Sequence, residues 1–236
     1  MKVMTFNIQH CLDYLNNEID VPFFGECVKK FGADFCGLNE VRGNGPLPDY
    51  TDQTNCIGDV LGFERFFGRT IRVAGVAPYG NAFVTRYPVI SAERFMIPDV
   101  EDKSEQGKYE RRGIIGAVID VDGNEVCFMV CHMGLTAAEQ KCAVATLCDM
   151  IDTVEIPLIL MGDFNTSPDS GILDPLFERL SDTDSLSENP RAYTYPSYDP
   201  EVKIDYILYR GLQCKGARTI CEIMSDHYPI IAEFDI

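Results

Sequence analysis

The chain has 236 residues, 46% of them hydrophobic and 24% charged, a composition that excludes a disordered or collagen-like protein. It carries 20 basic and 37 acidic residues, a formal charge of −17. Such a surface repels long polyanions and argues against non-specific binding to DNA, RNA or anionic membranes.

The length admits one large domain or two small ones, and no repeat, low-complexity tract or linker divides it. Residues 2–8 (KVMTFNI) alternate as a strand. Asp20 is placed to cap a helix that has Pro22 in its first turn. Phe24, Cys27, Val28 and Phe31 fall on one face of that helix, and Gly32 ends it. DFCGLNEV follows as a buried strand. FERFFGRTI, NAFVTR, VISAERFMI, RGIIGAVIDV and EVCFMVCHM then read as consecutive strands, with Asp122-Gly123-Asn124 as a hairpin turn. Thr136-Ala-Ala-Glu139 is a capping box that opens a helix to about Thr153. IPLILMG is a buried strand, a helix follows near 170–180, and KIDYILY and HYPIIAEFDI close the chain. Helices in both halves with adjacent strands between them predict an α/β sandwich, two sheets packed together under outer helices.

No apolar run approaches the ~18 residues of a membrane span, and the polar residues Asn7 and Gln9 break what a signal peptide would need as an apolar stretch. The chain is expected to be cytoplasmic and not inserted in a membrane. Its 10 cysteines show no C-x-x-C spacing, and the closest pairs lie in apolar stretches. Free, mostly buried thiols are expected.

Polar residues of chemical interest gather at the ends of apolar strands: Asn7, Glu40, His132, Asp163, Asn165, Asp205, Asp226 and His227. Each alone could be a turn or cap residue. Together they converge, because strand ends meet in space in α/β folds. Carboxylates with an Asn carbonyl are hard oxygen donors suited to Mg²⁺ or Mn²⁺ rather than zinc. A His with a buried Asp partner is held in one tautomer and kept partly cationic, which suits a developing oxyanion. The set fits metal-assisted attack of water on phosphorus.

At these residues the sequence resembles the endonuclease/exonuclease/phosphatase superfamily. TFNI, LNEV, YGNAFVTR, RRG, CHMGLT, GDFN, TYPS, KIDYIL and SDHYP occur in its order between residues 5 and 229. The resemblance implies one catalytic domain over 1–236 with a four-layer α/β/β/α sandwich, two mixed sheets face to face and helices outside. It implies Glu40 as principal metal ligand with Asn7 beside it, and Asp226 as a further ligand or a second-metal position. Asp163 is similar to the residue that activates water, and Asn165 to its partner on the phosphate. His227 resembles the phosphate-contacting His, Asp205 its orienting carboxylate, and His132 a second catalytic His. Arg112, with Arg111 as second choice, resembles a phosphate clamp. Asn81 is either a site-lining amide or a buried one that stabilises a loop. Asn39 and Lys203 stand where Gln and Arg are common.

Three functions follow from the resemblance. The first is an Mg²⁺- or Mn²⁺-dependent hydrolase of a small or medium phosphoester, mono- or diester. The second is a nuclease, disfavoured by the charge of −17 and the lack of a basic strip. The third is a non-enzymatic docking module, disfavoured by the intact set of site residues.

Overall fold

Helices form where their caps predict. The structure is a computed structural model that describes residues 1–236. Asp20 accepts from the Phe23 N–H at 3.0 Å to open α1 (Val21–Phe31), and Gly32 closes it in the left-handed conformation at φ 65°. A helix that the sequence reading left unassigned, α2 (Gln53–Leu61), uses the same devices in Asp52 and Gly62. The capping box of Thr136 and Glu139 opens α3 (Ala137–Ile151). The helix expected near 170–180 shrinks to one turn, α4 (Asp174–Phe177). Gly171 is left-handed at φ 73° just before it, so no regular helix runs through.

The strands are β1 (Lys2–Asn7), β2 (Leu12–Asp13), β3 (Glu18–Ile19), β4 (Phe35–Arg42), β5 (Glu64–Val73), β6 (Ala77–Thr85), β7 (Val89–Met96), β8 (Gly113–Val121), β9 (Asn124–His132), β10 (Leu158–Asp163), β11 (Ser181–Asp182), β12 (Asp205–Arg210), β13 (Gln213–Thr219) and β14 (Ile230–Asp235). Asp122 and Gly123 both have positive φ between β8 and β9, as a two-residue hairpin turn requires. β13, whose sequence QCKGART is too polar to read as a strand, pairs with β14. The last strand starts at Ile230 rather than His227, because Pro229 has no N–H for a ladder.

Two six-stranded mixed sheets result. The first has the order β13-β14-β1-β4-β6-β5, the second β11-β12-β10-β9-β8-β7. Each has one parallel pair at its centre, β1 with β4 and β10 with β9, flanked by antiparallel neighbours. Val3, Phe35, Phe83, Phe128 and Ile159 belong to the core cluster between the sheets. Phe35 and Phe128 stack across it with ring centroids 4.0 Å apart. A second cluster joins α1 and α2 to the outer face of the first sheet, and a third joins α3 and α4 to the second sheet. These three apolar seams make the four-layer α/β/β/α sandwich, as the sequence predicts.

No helix is long and apolar enough to cross a membrane. All 10 cysteines are free thiols; seven are buried and Cys142 is half-buried. Only Cys56 and Cys221 are exposed, so the thiols are mostly buried, as expected.

Candidate active site

The two parallel pairs end at the same edge of the sandwich, and the candidate residues stand there. Asn7 ends β1 and pairs in register with Asn39 of β4. Asp163 ends β10 and pairs with His132, the last residue of β9. Asn39 points between the sheets, so strict alternation would turn Glu40 towards the helices. A bulge between Leu38 and Val41 intervenes, with Glu40 at φ 61°, and re-aims its carboxylate into the cleft. Glu40 Oε1 accepts from Asn7 Nδ2 at 3.2 Å and Oε2 from the Tyr79 hydroxyl at 2.7 Å.

Asp163 is the hub. Its entry depends on Gly162, at φ 141°, where a Cβ would lie 1.8 Å from the Cys131 carbonyl oxygen. The Asp163 N–H donates to Asn39 Oδ1 at 3.0 Å. Its Oδ1 accepts from the Asn165 N–H at 2.9 Å, and its Oδ2 from Asn7 Nδ2 at 3.0 Å. His132 Nε2 and His227 Nε2 lie 3.5 and 3.7 Å from that same Oδ2. Burial pushes the Asp163 carboxyl up, with His227 lowering it and Asp205 raising it again; the net is about 7.

The two histidines are set to opposite charge states. His227 Nδ1 lies 2.9 Å from Asp205 Oδ2. Burial lowers the His227 imidazole, but Asp205 and Asp163 outweigh it and raise it to about 10, so it is cationic at neutral pH. His132 is pushed well below its ordinary value by burial, then by Arg112 and His227, and is neutral. A guanidinium nitrogen of Arg112 lies 3.1 Å from His132 Nδ1. The same nitrogen lies 3.4 Å from Nε2; arginine can only donate, and the shorter contact favours Nδ1 as the acceptor, with the ring proton on Nε2, 3.5 Å from Asp163 Oδ2. Arg112 Nε is buried without a partner.

A cleft of about 380 Å³ opens over these groups, lined by Glu40, Tyr79, Arg112, His132, Asp163, Asn165, Asp226 and His227 among others. Asn81 does not reach it. It is 2% exposed, accepts from Asn39 Nδ2 at 3.1 Å and donates to the Gly113 carbonyl at 2.9 Å. It stands as a buried amide between Asn39 and the start of β8. Arg111 is exposed, beside Asp99, so Arg112 is the arginine at the site.

The sequence profile of the Endonuclease/Exonuclease/phosphatase family matches residues 4–227. The chain belongs to that family. It is 26% identical over 260 residues to protein YbhP of Escherichia coli (strain K12), across 100% of this chain and 96% of that protein. An endonuclease/exonuclease/phosphatase from Beutenbergia cavernae shares the fold with a TM-score of 0.84 at 22% identity, over 100% of this chain and 71% of that one. The mannosyl-6-phosphatase Bt3783 of Bacteroides thetaiotaomicron gives 0.77 at 17% identity, with 100% of both chains covered.

The activities in the family's name all cleave phosphoester bonds, and its members' divalent cation finds suitable donors here. Glu40, Asp163 and Asp226 line the cleft, and none has a lysine or arginine partner. Lys108 and Arg112, the cleft's lysine and arginine, are both paired with Glu110. Asp163, Asp205 and His227 also bring one donor atom each within 4.8 Å of one another, a group that could hold a metal. Burial raises the Asp226 carboxyl, and Asp205 Oδ1 is buried without a partner. Uncompensated carboxylates of this kind attract a hard cation.

Two aromatic site groups escaped the sequence reading. Tyr79 sits inside the quoted YGNAFVTR, but an aromatic in a strand reads as core; its hydroxyl is instead bound to Glu40. Tyr195 sits in TYPS, and its ring centroid is 4.7 Å from that of His227. Asn7 turns its NH₂ to the two carboxylates and its Oδ1 to the Gln9 N–H at 3.1 Å.

Proposed function

We propose that the protein is a divalent-metal-dependent hydrolase of phosphoester bonds, acting by in-line attack of water on a small or medium phosphoester. The observation that carries this is the pairing of Asp163 with a cationic His227 at the floor of a cleft whose other carboxylates lack basic partners. Glu40 and Asp226 are the residues that would hold Mg²⁺ or Mn²⁺; Asn7, expected as a ligand beside Glu40, turns its NH₂ rather than its carbonyl to that carboxylate and would orient it. The bound ion would neutralise phosphate charge and steady the leaving oxygen.

The chain's own groups do the rest. Asp163 Oδ2 takes a proton from the attacking water as the oxygen–phosphorus bond forms, and the bond to the leaving oxygen breaks. A carboxyl raised to about 7 is matched to that task. Asn165 and Asn7 fix its two oxygens. The His227 imidazolium, held by Asp205, and the Arg112 guanidinium receive the charge that builds on the phosphoryl oxygens. His132, neutral, keeps its Nε2 proton beside Asp163 and its Nδ1 on Arg112, which orients that arginine.

A small or medium substrate is supported by the cleft's size and by its paired-off cations. The mannosyl-6-phosphatase is a structural relative of that kind, alike in fold only. A nuclease remains the second reading on the family name alone. The thiol-rich core favours a reducing, cytoplasmic compartment. The test is a panel of phosphomonoesters and phosphodiesters. Turnover should vanish with EDTA and return with Mg²⁺ or Mn²⁺; turnover that survives exhaustive chelation would overturn the metal requirement.

A further inference from the structure

The reaction above makes no use of Glu110, yet its carboxylate holds both permanent cations of the cleft. Glu110 Oε2 lies 2.8 Å from Lys108 Nζ, and Oε1 lies 3.4 Å from an Arg112 guanidinium nitrogen. The Glu110 and Arg112 side chains are 14% and 12% exposed. The placement is built into the fold. The Glu110 N–H donates to Glu139 Oε1 at 3.1 Å. Glu105, on the same segment, accepts from the Ala137 and Ala138 N–H groups at 2.9 and 3.0 Å. The segment between β7 and β8 is thus strapped to the first turn of α3, whose free amides favour carboxylates.

An incoming phosphoryl group must compete with Glu110 for Arg112. One phosphoryl group can win, because it meets Arg112 and His227 together, and a monoester dianion also carries more charge than a carboxylate. A second finds no unpaired lysine or arginine in the cleft, and faces the Glu110 carboxylate. We infer that Glu110 is a specificity-determining residue that confines the cleft to substrates with a single phosphoryl group. The inference rests on the phosphoesterase reading and narrows its substrate class, against polyphosphorylated compounds and nucleic-acid strands.

Glu110→Gln keeps the shape and removes the charge. Two substrate pairs differ by one phosphate: glucose 6-phosphate with glucose 1,6-bisphosphate, and the p-nitrophenyl ester of thymidine 5′-phosphate with and without a 3′-phosphate. In the variant, the ratio of kcat/KM for the bisphosphorylated over the singly phosphorylated member should rise by about tenfold at low ionic strength. The change should lie mainly in KM and shrink as salt is added. Glu110→Asp should keep the ratio low. Calorimetry on the metal-free protein supplies a readout independent of turnover: the variant should bind tripolyphosphate more tightly relative to inorganic phosphate by a similar factor. An unchanged ratio, or an equal loss on every substrate, would make Glu110 a mere buttress for Arg112 and overturn the inference. If the native protein cleaves no phosphoester, the enzymatic reading fails, and the binding ratio still decides the role of Glu110.

Discussion

Asn39 and Asp163 meet across the gap between the two sheets. The Asp163 N–H donates to Asn39 Oδ1 at 3.0 Å, while Asn39 Nδ2 donates to the Cys131 carbonyl at 3.1 Å and to Asn81 Oδ1 at 3.1 Å. One buried amide thus places the carboxylate proposed as the base. Asn39→Ala would strand three buried polar groups, each worth roughly 1–3 kcal/mol. We expect a loss of roughly 3 kcal/mol or more in urea unfolding, with kcat falling in the protein that remains folded. A loss under about 1 kcal/mol would deny Asn39 this role.

Asp163→Asn should lower kcat by roughly 10²-fold or more, since it keeps the shape and removes the base. Its stability should move the other way. The native Asp163 carboxyl is raised by burial to about 7 from its ordinary 3.8. Between those values the folded state holds a proton that the unfolded chain has released, so ionised Asp163 costs stability as pH rises through that window. In EDTA, the Tm advantage of the variant should therefore grow from pH 5 to pH 8. A constant difference would contradict the raised carboxyl.

His227 supplies the opposite sign. Its pKa is raised to about 10 by carboxylates that outweigh burial, so its contribution is full below 6.5 and fades as pH climbs through 10. Asp205→Asn weakens that hold. Calorimetric scans should find native protein well above the variant in Tm at pH 7 and the gap closing by pH 10.5. Turnover should fall roughly 10²-fold in His227→Ala with the fold intact; loss through unfolding alone would make the residue structural.

Metal binding can be read without turnover. Mg²⁺ or Mn²⁺ should raise the Tm of the native protein by mass action on the folded state, and Glu40→Gln should abolish most of that rise. An equal shift in both proteins would move the site away from Glu40.

Thiol labelling should be staged. Cys56 and Cys221 are exposed and Cys142 half-buried, so iodoacetamide should reach Cys56 and Cys221 first. The buried thiols, pushed up by burial at Cys36 and Cys131 among others, should react only on unfolding. Mass spectrometry of unreduced protein should find no native crosslink.

Strand ends were legible because β1, β9 and β10 are apolar runs that stop at Asn7, His132 and Asp163. What those ends become was not. Glu40 reads as a carboxylate after a strand, but its direction comes from a bulge that no periodicity announces. The buried face of α2 is Gln53, Thr54, Ile57 and Gly58, with one large apolar side chain among them, so Asp52 and Gly62 at its ends are the clearer signals. β13 is a strand by virtue of its partner β14, a tertiary effect on a polar segment. Glu110 stayed hidden because an acidic residue in an acidic chain carries no signal until its neighbours are known.

Four polar bridges at the site join one sheet to the other. Asn7 reaches Asp163, Asn39 reaches Cys131 and Asp163, and His227, just before β14, reaches Asp205 at the start of β12. Apolar contact between the sheets resists separation but is non-directional, so it tolerates sliding of one layer over the other. The directional bonds at the edge do not. The groups that would carry the chemistry therefore double as the dowels that align the two halves, and a sheet displaced by one residue would lose its alignment and its reactivity together.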